Sequence, residues 1–165
     1  MGYSVSPSPK IFAKIRIMRF CLYLCNVNGQ HILFYDGRCG FCNFWVQFIL
    51  ERDAERRFRF ASLQSDFGQA FLRDRGLPQS SFGTLYLWMP QQYYLTKSQA
   101  VFKIASLLGG FYRLIGSLRL LPAWLTDLVY DKVAERREKI AAPTCMLPGK
   151  EQHRFLSTEE EYRAF

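Results

Sequence analysis

The chain contains no run of 18 or more apolar residues, which is the length a membrane-spanning helix needs, so none is expected. Its most apolar region, Val101 to Tyr130, is interrupted by Lys103, Arg113, Arg119 and Asp127. It also lacks any Lys/Arg block or RNA-recognition aromatic motif, and a net charge of +8 is therefore no sign of nucleic-acid binding. Half of that charge sits in residues 1–30, where Lys10, Lys14, Arg16 and Arg19 meet no acid. The other half is dispersed among acids along the rest of the chain. There are only two histidines, no paired histidine spacing and no second CxxC, which argues against a zinc site. No nucleotide, flavin or haem motif is visible either, so no cofactor is expected. The five cysteines, Cys21, Cys25, Cys39, Cys42 and Cys145, are odd in number and too scattered for the disulfide framework of a small secreted domain. A reducing compartment with one reactive pair is the simpler account, and the cytoplasm is the expected location.

What the chain has is length and apolar content. Its 165 residues, 49% hydrophobic and 16% aromatic, suffice for one domain with a dense core. Residues 1–30 read as a poorly ordered basic extension: Ser4, Ser6, Pro7, Ser8 and Pro9 open it, and neither a long apolar segment nor a cleavage site follows. The acid-free, basic composition leaves an organellar transit peptide as the alternative. The domain is expected over residues 31–157, with 158–165 as a tail. No repeat or further low-complexity segment is present.

The segment Tyr35-Asp36-Gly37-Arg38-Cys39-Gly40-Phe41-Cys42 is the most informative. His31 to Tyr35 is short, apolar and ended by Asp36-Gly37, so it reads as a buried strand running into a turn. After it, Phe41, Phe44, Trp45, Phe48 and Ile49 recur at helical spacing and predict an amphipathic helix whose aromatic face enters the core. Cys39 and Cys42 thus open a helix. There, unsatisfied N–H groups and the helix dipole favour thiolate, the reactive form of cysteine, and Arg38 adds positive charge. A CxxC between strand and helix reads as a dithiol redox site.

Further along, Phe58 to Ser62 reads as a second strand. Asp66 to Arg75 reads as a helix stopped by Gly76. Thr84 to Trp88 and Gln92 to Leu95 form a hairpin across Met89-Pro90-Gln91. Thr96-Lys97-Ser98-Gln99 has the form of a capping box and starts a helix ended by Gly109-Gly110. A last helix begins near Pro122, runs to about Lys139 with Trp124, Leu125, Leu128 and Val129 as its apolar face, and ends at Ala142-Pro143. The order is β–α–β–α–β–β–α with additional C-terminal helices, and its first βαβ unit requires a parallel pair.

Asp36-Gly37-Arg38-Cys39-Gly40-Phe41-Cys42-Asn43 resembles the signature of the DCC family (DUF393) of thiol-disulfide oxidoreductases. The resemblance continues in order through Phe58-Arg59-Phe60, Leu63-Gln64-Ser65, Gly68, Ser98 with Ala100, and Leu108-Gly109-Gly110. It then takes in Leu121-Pro122, Asp127 with Tyr130, Ala134, Arg137, and Cys145 with Pro148, spanning about Ile32 to Leu156. It implies an α/β fold with a thioredoxin-like central sheet flanked by helices, and dithiol–disulfide exchange as the activity. Thioredoxin-like enzymes usually set a cis-proline directly before the third core strand. Here Ser81-Phe82-Gly83 stands there and the nearest proline is Pro78, so substrate docking must differ.

On this reading Cys39, the more exposed of the pair, attacks a substrate disulfide and Cys42 resolves the mixed disulfide. The partners are a protein or small-molecule thiol or disulfide and an electron donor. Asp36 has three candidate roles: a turn residue, an acceptor for N–H groups at the helix approach, or a carboxylate relaying a proton to or from Cys42. Its charge raises a nearby thiol pKa and so opposes the helix dipole. Cys145 reads as a buried small hydrophobe or as a thiol exchanging with the pair. The rival readings are a structural zinc site built from Cys39, Cys42, Cys145 and His153, and a non-catalytic interaction module. The second would be a membrane-surface module built from the basic extension and the region Val101–Leu121, although core packing explains that region more simply.

Overall fold

The computed structural model describes residues 30–140, 149 and 151–165. The expected basic extension over residues 1–29, the helix stop at Ala142-Pro143, and Cys21, Cys25 and Cys145 lie outside the described residues.

β1 (His31–Tyr35) is buried along its whole length, as its unbroken apolar run requires of an inner strand. A turn and α1 (Gly40–Arg52) connect it to β2 (Phe58–Ser62). β2 lies parallel to β1, with His31 opposite Phe58 and Tyr35 opposite Ser62. α2 (Asp66–Asp74) follows, and Gly76 at φ 61° with Leu77 N–H donating to the Leu72 carbonyl closes it as glycine stops do. β3 (Tyr86–Met89) pairs antiparallel with β1, and β4 (Tyr93–Thr96) antiparallel with β3. Their hairpin places Pro90 second and Gln91 third, the latter at φ 63°, with Gln92 N–H on the Met89 carbonyl at 3.1 Å, the pattern of a type II turn.

α3 (Lys97–Leu108) ends at Gly109 and Gly110, whose φ of 71° and 53° turn the chain back into α4 (Tyr112–Ser117). A 3-10 turn (Leu118–Leu120) leads to α5 (Ala123–Ile140). A second 3-10 turn (Gln152–Arg154) precedes β5 (Phe155–Leu156), which is parallel to β2, and α6 (Glu159–Arg163) ends the chain. The strand order β4-β3-β1-β2-β5, with helices on both faces, is the expected thioredoxin-like α/β arrangement extended by one edge strand.

Each sheet face has its own core. Ile32, Phe34, Phe67, Phe71 and Trp88 fill one side beneath α2. Leu33, Val46, Ile49, Phe60 and Ile104 fill the other beneath α1 and α3. The final residues, set apart in sequence as a tail, are part of the first side. Tyr162 and Phe165 pack edge-on against Phe67, and Thr158 and Glu161 form a capping box at the start of α6. β5 is held by Arg154, buried in an ion pair with Asp53 and donating to the Phe58 carbonyl. Two residues are too few to signal a strand by alternation, which is why β5 is not visible in the sequence.

Two expected apolar faces are turned away from the core, that of α1 only in part, since Ile49 is buried and Phe48 packs against the core. α1 buries Gly40, Asn43, Val46 and Ile49. Phe44 is 57% exposed and Trp45 43%. The helix starts at Cys39 immediately after the β1 turn, and Asn43 Nδ2 donates to the Gly37 carbonyl at 3.2 Å, so the turn sets the rotational phase of α1. The aromatic stripe is left to one side, where Trp45 meets Phe41 and Phe48, and Phe48 meets Tyr112. α5 likewise turns Trp124, Leu125, Leu128 and Val129 outward. Its inward side is polar, and hydrogen bonds rather than periodicity fix its phase. The Val101–Leu121 region is also only partly core, since Phe111, Leu114 and Leu120 are exposed.

The capping box expected at Thr96 is not formed: the Thr96 side chain makes no capping bond. The orphan N–H of Ser98 instead meets Asp127 Oδ1 from α5 at 3.4 Å.

Candidate dithiol site

Cys39 is the N-cap of α1, with extended backbone (φ −90°, ψ 112°). That conformation folds its side chain over the first turn, and the Cys42 N–H points at its Sγ at 3.4 Å. A sulfur there accepts one of the N–H groups that a helix start leaves unpaired. The pair is unbridged. Its exposure is the reverse of the expectation: Cys39 is 7% exposed, whereas Cys42 is only partly buried. The capping position draws the first sulfur inward.

Burial, a hydrogen bond to Cys39 and the charge of Cys39 push the Cys42 thiol up to about 12, against a weaker pull downward from Arg137. Arg137 arrives from α5. One guanidinium nitrogen lies 3.9 Å from Cys42 Sγ and 3.3 Å from the Phe82 carbonyl, and the other lies 3.4 Å from Asp36 Oδ2. Both side chains of this ion pair are largely buried, at 14% and 13% exposure. Tyr130, two turns earlier on α5, accepts the Leu85 N–H at 3.1 Å. Burial raises its pKa, and Cys42 is one of the groups acting on it.

Asp36 is saturated with donors. Its Oδ1 accepts the Arg38 N–H at 3.1 Å, the turn role expected of Asp-Gly, and Gln64 Nε2 at 2.7 Å. Gln64 Oε1 in turn accepts the Gly37 N–H at 3.0 Å and the Ser62 hydroxyl at 2.6 Å. The site turn is thus tied to the end of β2. A Cβ on Gly37 would come within 2.7 Å of Ser62 Oγ and displace that hydroxyl, and one on Gly68 would come within 2.2 Å of the Ser62 carbonyl, a backbone contact that needs glycine. Arg38 is exposed to solvent.

The segment Phe82 to Leu85 fills the position before β3, and no cis peptide occurs among the described residues. The Phe82 carbonyl and Leu85 N–H are taken by Arg137 and Tyr130. α5 itself is anchored to α3: Asp127 accepts from the Ser98 hydroxyl, Thr126 meets the same hydroxyl at 3.0 Å, and Lys97 meets Asp131 at 2.9 Å.

The structure therefore brings Cys39, Cys42 and Asp36 together and adds Arg137, Tyr130 and Gln64, to which the sequence reading gave no role. Their signal was present: Asp127, Tyr130, Ala134 and Arg137 are spaced by three or four and share one helix face. His153 precedes β5 at the opposite end of the sheet, next to the Arg154–Asp53 pair, so it does not join Cys39 and Cys42. No cluster of three or more His, Cys, Asp or Glu suited to a metal occurs among the described residues, and no helix among them is long and apolar enough to cross a membrane.

Residues 33–142 match the family model DCC1-like thiol-disulfide oxidoreductase. The chain is 38% identical over 122 residues to the uncharacterized protein YuxK of Bacillus subtilis, covering 73% of this chain and 88% of that one. It is 33% identical over 107 residues to a chloroplastic DCC family protein of Arabidopsis thaliana, covering 64% of this chain and 62% of that one. No solved structure matches. The match runs from β1 through α5 and so takes in Asp36, both cysteines of the pair, and the Tyr130–Arg137 face that closes over them; the chain belongs to the DCC1-like thiol-disulfide oxidoreductase family.

Proposed function

We propose that this protein is an enzyme of dithiol–disulfide exchange in which Cys39 attacks and Cys42 resolves. The observation that carries the reading is the asymmetry of the pair. Cys39 Sγ caps the helix start and receives the Cys42 N–H, while the Cys42 thiol is pushed up to about 12 and stays protonated.

The Cys39 thiolate attacks one sulfur of a substrate disulfide. A Cys39–substrate S–S bond forms, the substrate S–S bond breaks, and the departing thiolate takes the electron pair. Cys42 then loses its proton and attacks Cys39 Sγ. The Cys39–Cys42 bond forms, the second substrate thiolate leaves, and the substrate has gained two electrons from the pair. An external thiol reductant returns the disulfide to the dithiol. The reverse sequence oxidises a substrate dithiol.

Arg137, 3.9 Å from Cys42 Sγ, offers positive charge to the thiolate that develops there. Asp36 acts through Arg137: both its oxygens already hold donors, so it positions the guanidinium rather than carrying the proton of Cys42. The cytoplasm is the compartment we propose. An organelle is the alternative, suggested by the acid-free basic residues 1–30 and by the chloroplastic relative.

The test is a trapping experiment. With Cys42→Ser, a disulfide substrate should remain bonded to Cys39, located by peptide mass. With Cys39→Ser, no adduct should accumulate at Cys42 near neutral pH. Adduct at Cys42 in the second variant and none at Cys39 in the first would reverse the roles.

A further inference from the structure

The most conspicuous feature that the redox reading does not use is the outer surface of α4, the following 3-10 turn and the first half of α5. Leu120 is 91% exposed, Phe111 74% and Trp124 68%, and Leu114, Leu128 and Val129 are exposed as well. This exposure is built in. Gly116 packs so tightly on α3 that a Cβ there would lie 2.0 Å from Ser106 Oγ. α4 is therefore held against α3 by its small residue, with its large ones facing out. α5 is fixed by Asp127, Tyr130 and Asp131 on its inner face, which leaves the apolar side nowhere to turn. Large apolar side chains left exposed throughout one stretch of chain, from Phe111 to Val133, mark an interaction site.

Its charge says what it fits. From Arg75 to Thr126 the chain has no Asp or Glu. Arg113 and Arg119 lie exposed within the apolar stretch, and Lys132 and Arg136 line a groove with Leu125, Leu128, Val129 and Val133 on α5. Of the acids on α5 up to Arg137, Asp127 and Asp131 are bonded to α3, leaving Glu135 exposed. A second copy docking on this face would set Arg113, Arg119, Lys132 and Arg136 against themselves. Residues 1–29 carry Lys10, Lys14, Arg16 and Arg19 without an acid, so their charge does not complement it. An apolar face with aromatic residues and a cationic border instead complements a bilayer whose headgroups are anionic. Apolar and aromatic side chains enter the acyl boundary while Arg and Lys reach back to the phosphates.

We propose that this face binds the surface of anionic phospholipid bilayers, without spanning them. α5 carries the binding face on one side and Tyr130 and Arg137 on the other, so the dithiol site is held at a fixed orientation to the membrane plane. The inference does not depend on the redox chemistry.

The experiment is co-sedimentation of the full chain with vesicles of phosphatidylcholine alone and of phosphatidylcholine with phosphatidylglycerol, together with sedimentation velocity without lipid. Binding is expected to the anionic vesicles, to weaken as salt is raised, and to fall about tenfold or more in Leu120→Glu/Trp124→Glu, as buried apolar area is lost. Arg113→Glu/Arg119→Glu should abolish the preference for anionic lipid. All four positions are exposed, and an unchanged near-ultraviolet circular dichroism spectrum verifies the fold. Three outcomes overturn the proposal. One is equal binding to both vesicles or to neither. Another is a Leu120→Glu/Trp124→Glu variant that binds like the parent, which would assign binding to residues 1–29. The third is a concentration-dependent dimer that the same variant dissolves, which would make the face an interface between copies.

Discussion

Asp36→Asn offers the sharpest probe of how the site is charged. Asp36 raises the Cys42 pKa and Arg137 lowers it, with the Arg137 effect the larger. Removing the carboxylate therefore acts twice in one direction: a repulsion disappears, and the guanidinium 3.9 Å from Cys42 Sγ loses its counter-ion. Two unit charges at that distance interact by about 4 kcal/mol at an effective dielectric of about 20, roughly three pKa units as a ceiling. Arg137 keeps the Phe82 carbonyl as a partner and remains partly hydrated, so about one unit is the expected fall. One unit multiplies the thiolate fraction roughly tenfold, while the weaker basicity takes back about half of that on a logarithmic scale, leaving a gain of about threefold in reactivity. The assay is iodoacetamide alkylation of Cys42 in a Cys39→Ser background near pH 8, followed by peptide mass, with and without Asp36→Asn. Arg137→Gln should shift the rate the other way. A Cys42 rate that is unchanged or lower in Asp36→Asn, with the fold intact, would refute the charge argument.

Three further outcomes are expected. The Cys42 thiol is raised from 9.0 to about 12 in the native state, so the neutral form is favoured on folding. The stability this contributes is whole below pH 9 and is lost as pH rises toward the native value; the advantage of wild type over Cys42→Ala in urea unfolding should shrink from about pH 9 to about pH 10.5, and a constant difference contradicts it. Gly68→Ala drives a Cβ to 2.2 Å from the Ser62 carbonyl and 2.7 Å from Leu63 Cα; backbone cannot yield as a side chain would, and urea unfolding should show a loss of about 1–3 kcal/mol. Asp127→Ala removes the acceptor for the α3 N-terminus, and should cost about 1–2 kcal/mol in the same assay and loosen Arg137, read as slower resolution of a mixed disulfide at Cys39.

How much of this could be read beforehand depends on the kind of signal. β1 and β2 fall where their apolar runs place them, and Gly76 and Gly109-Gly110 end their helices because their backbone angles admit little else. Periodicity misled at α1 and α5. It registers which residues share a face but not which face turns inward. At α1 the Cys39 cap and the Asn43–Gly37 bond decide that, and at α5 the decision rests with Asp127, Tyr130 and Asp131. The same blindness hid the site's charge balance. Asp36 looked like an uncompensated obstacle to thiol chemistry because its partner lies 101 residues away. The cysteines were legible because strand, turn and helix start are local features. Arg137 was not, because its role exists only once α5 docks.

The central claim is that Cys39 and Cys42 interconvert between dithiol and disulfide as a working pair. Equilibrating the full chain in glutathione buffers of graded ratio, and measuring the Cys39–Cys42 disulfide by peptide mass, tests it most directly. The account predicts one reversible two-electron transition with the fold retained, absent from Cys39→Ser and from Cys42→Ser. A pair that stays unbridged in the most oxidising buffer, or that bridges only as the protein unfolds, would contradict it.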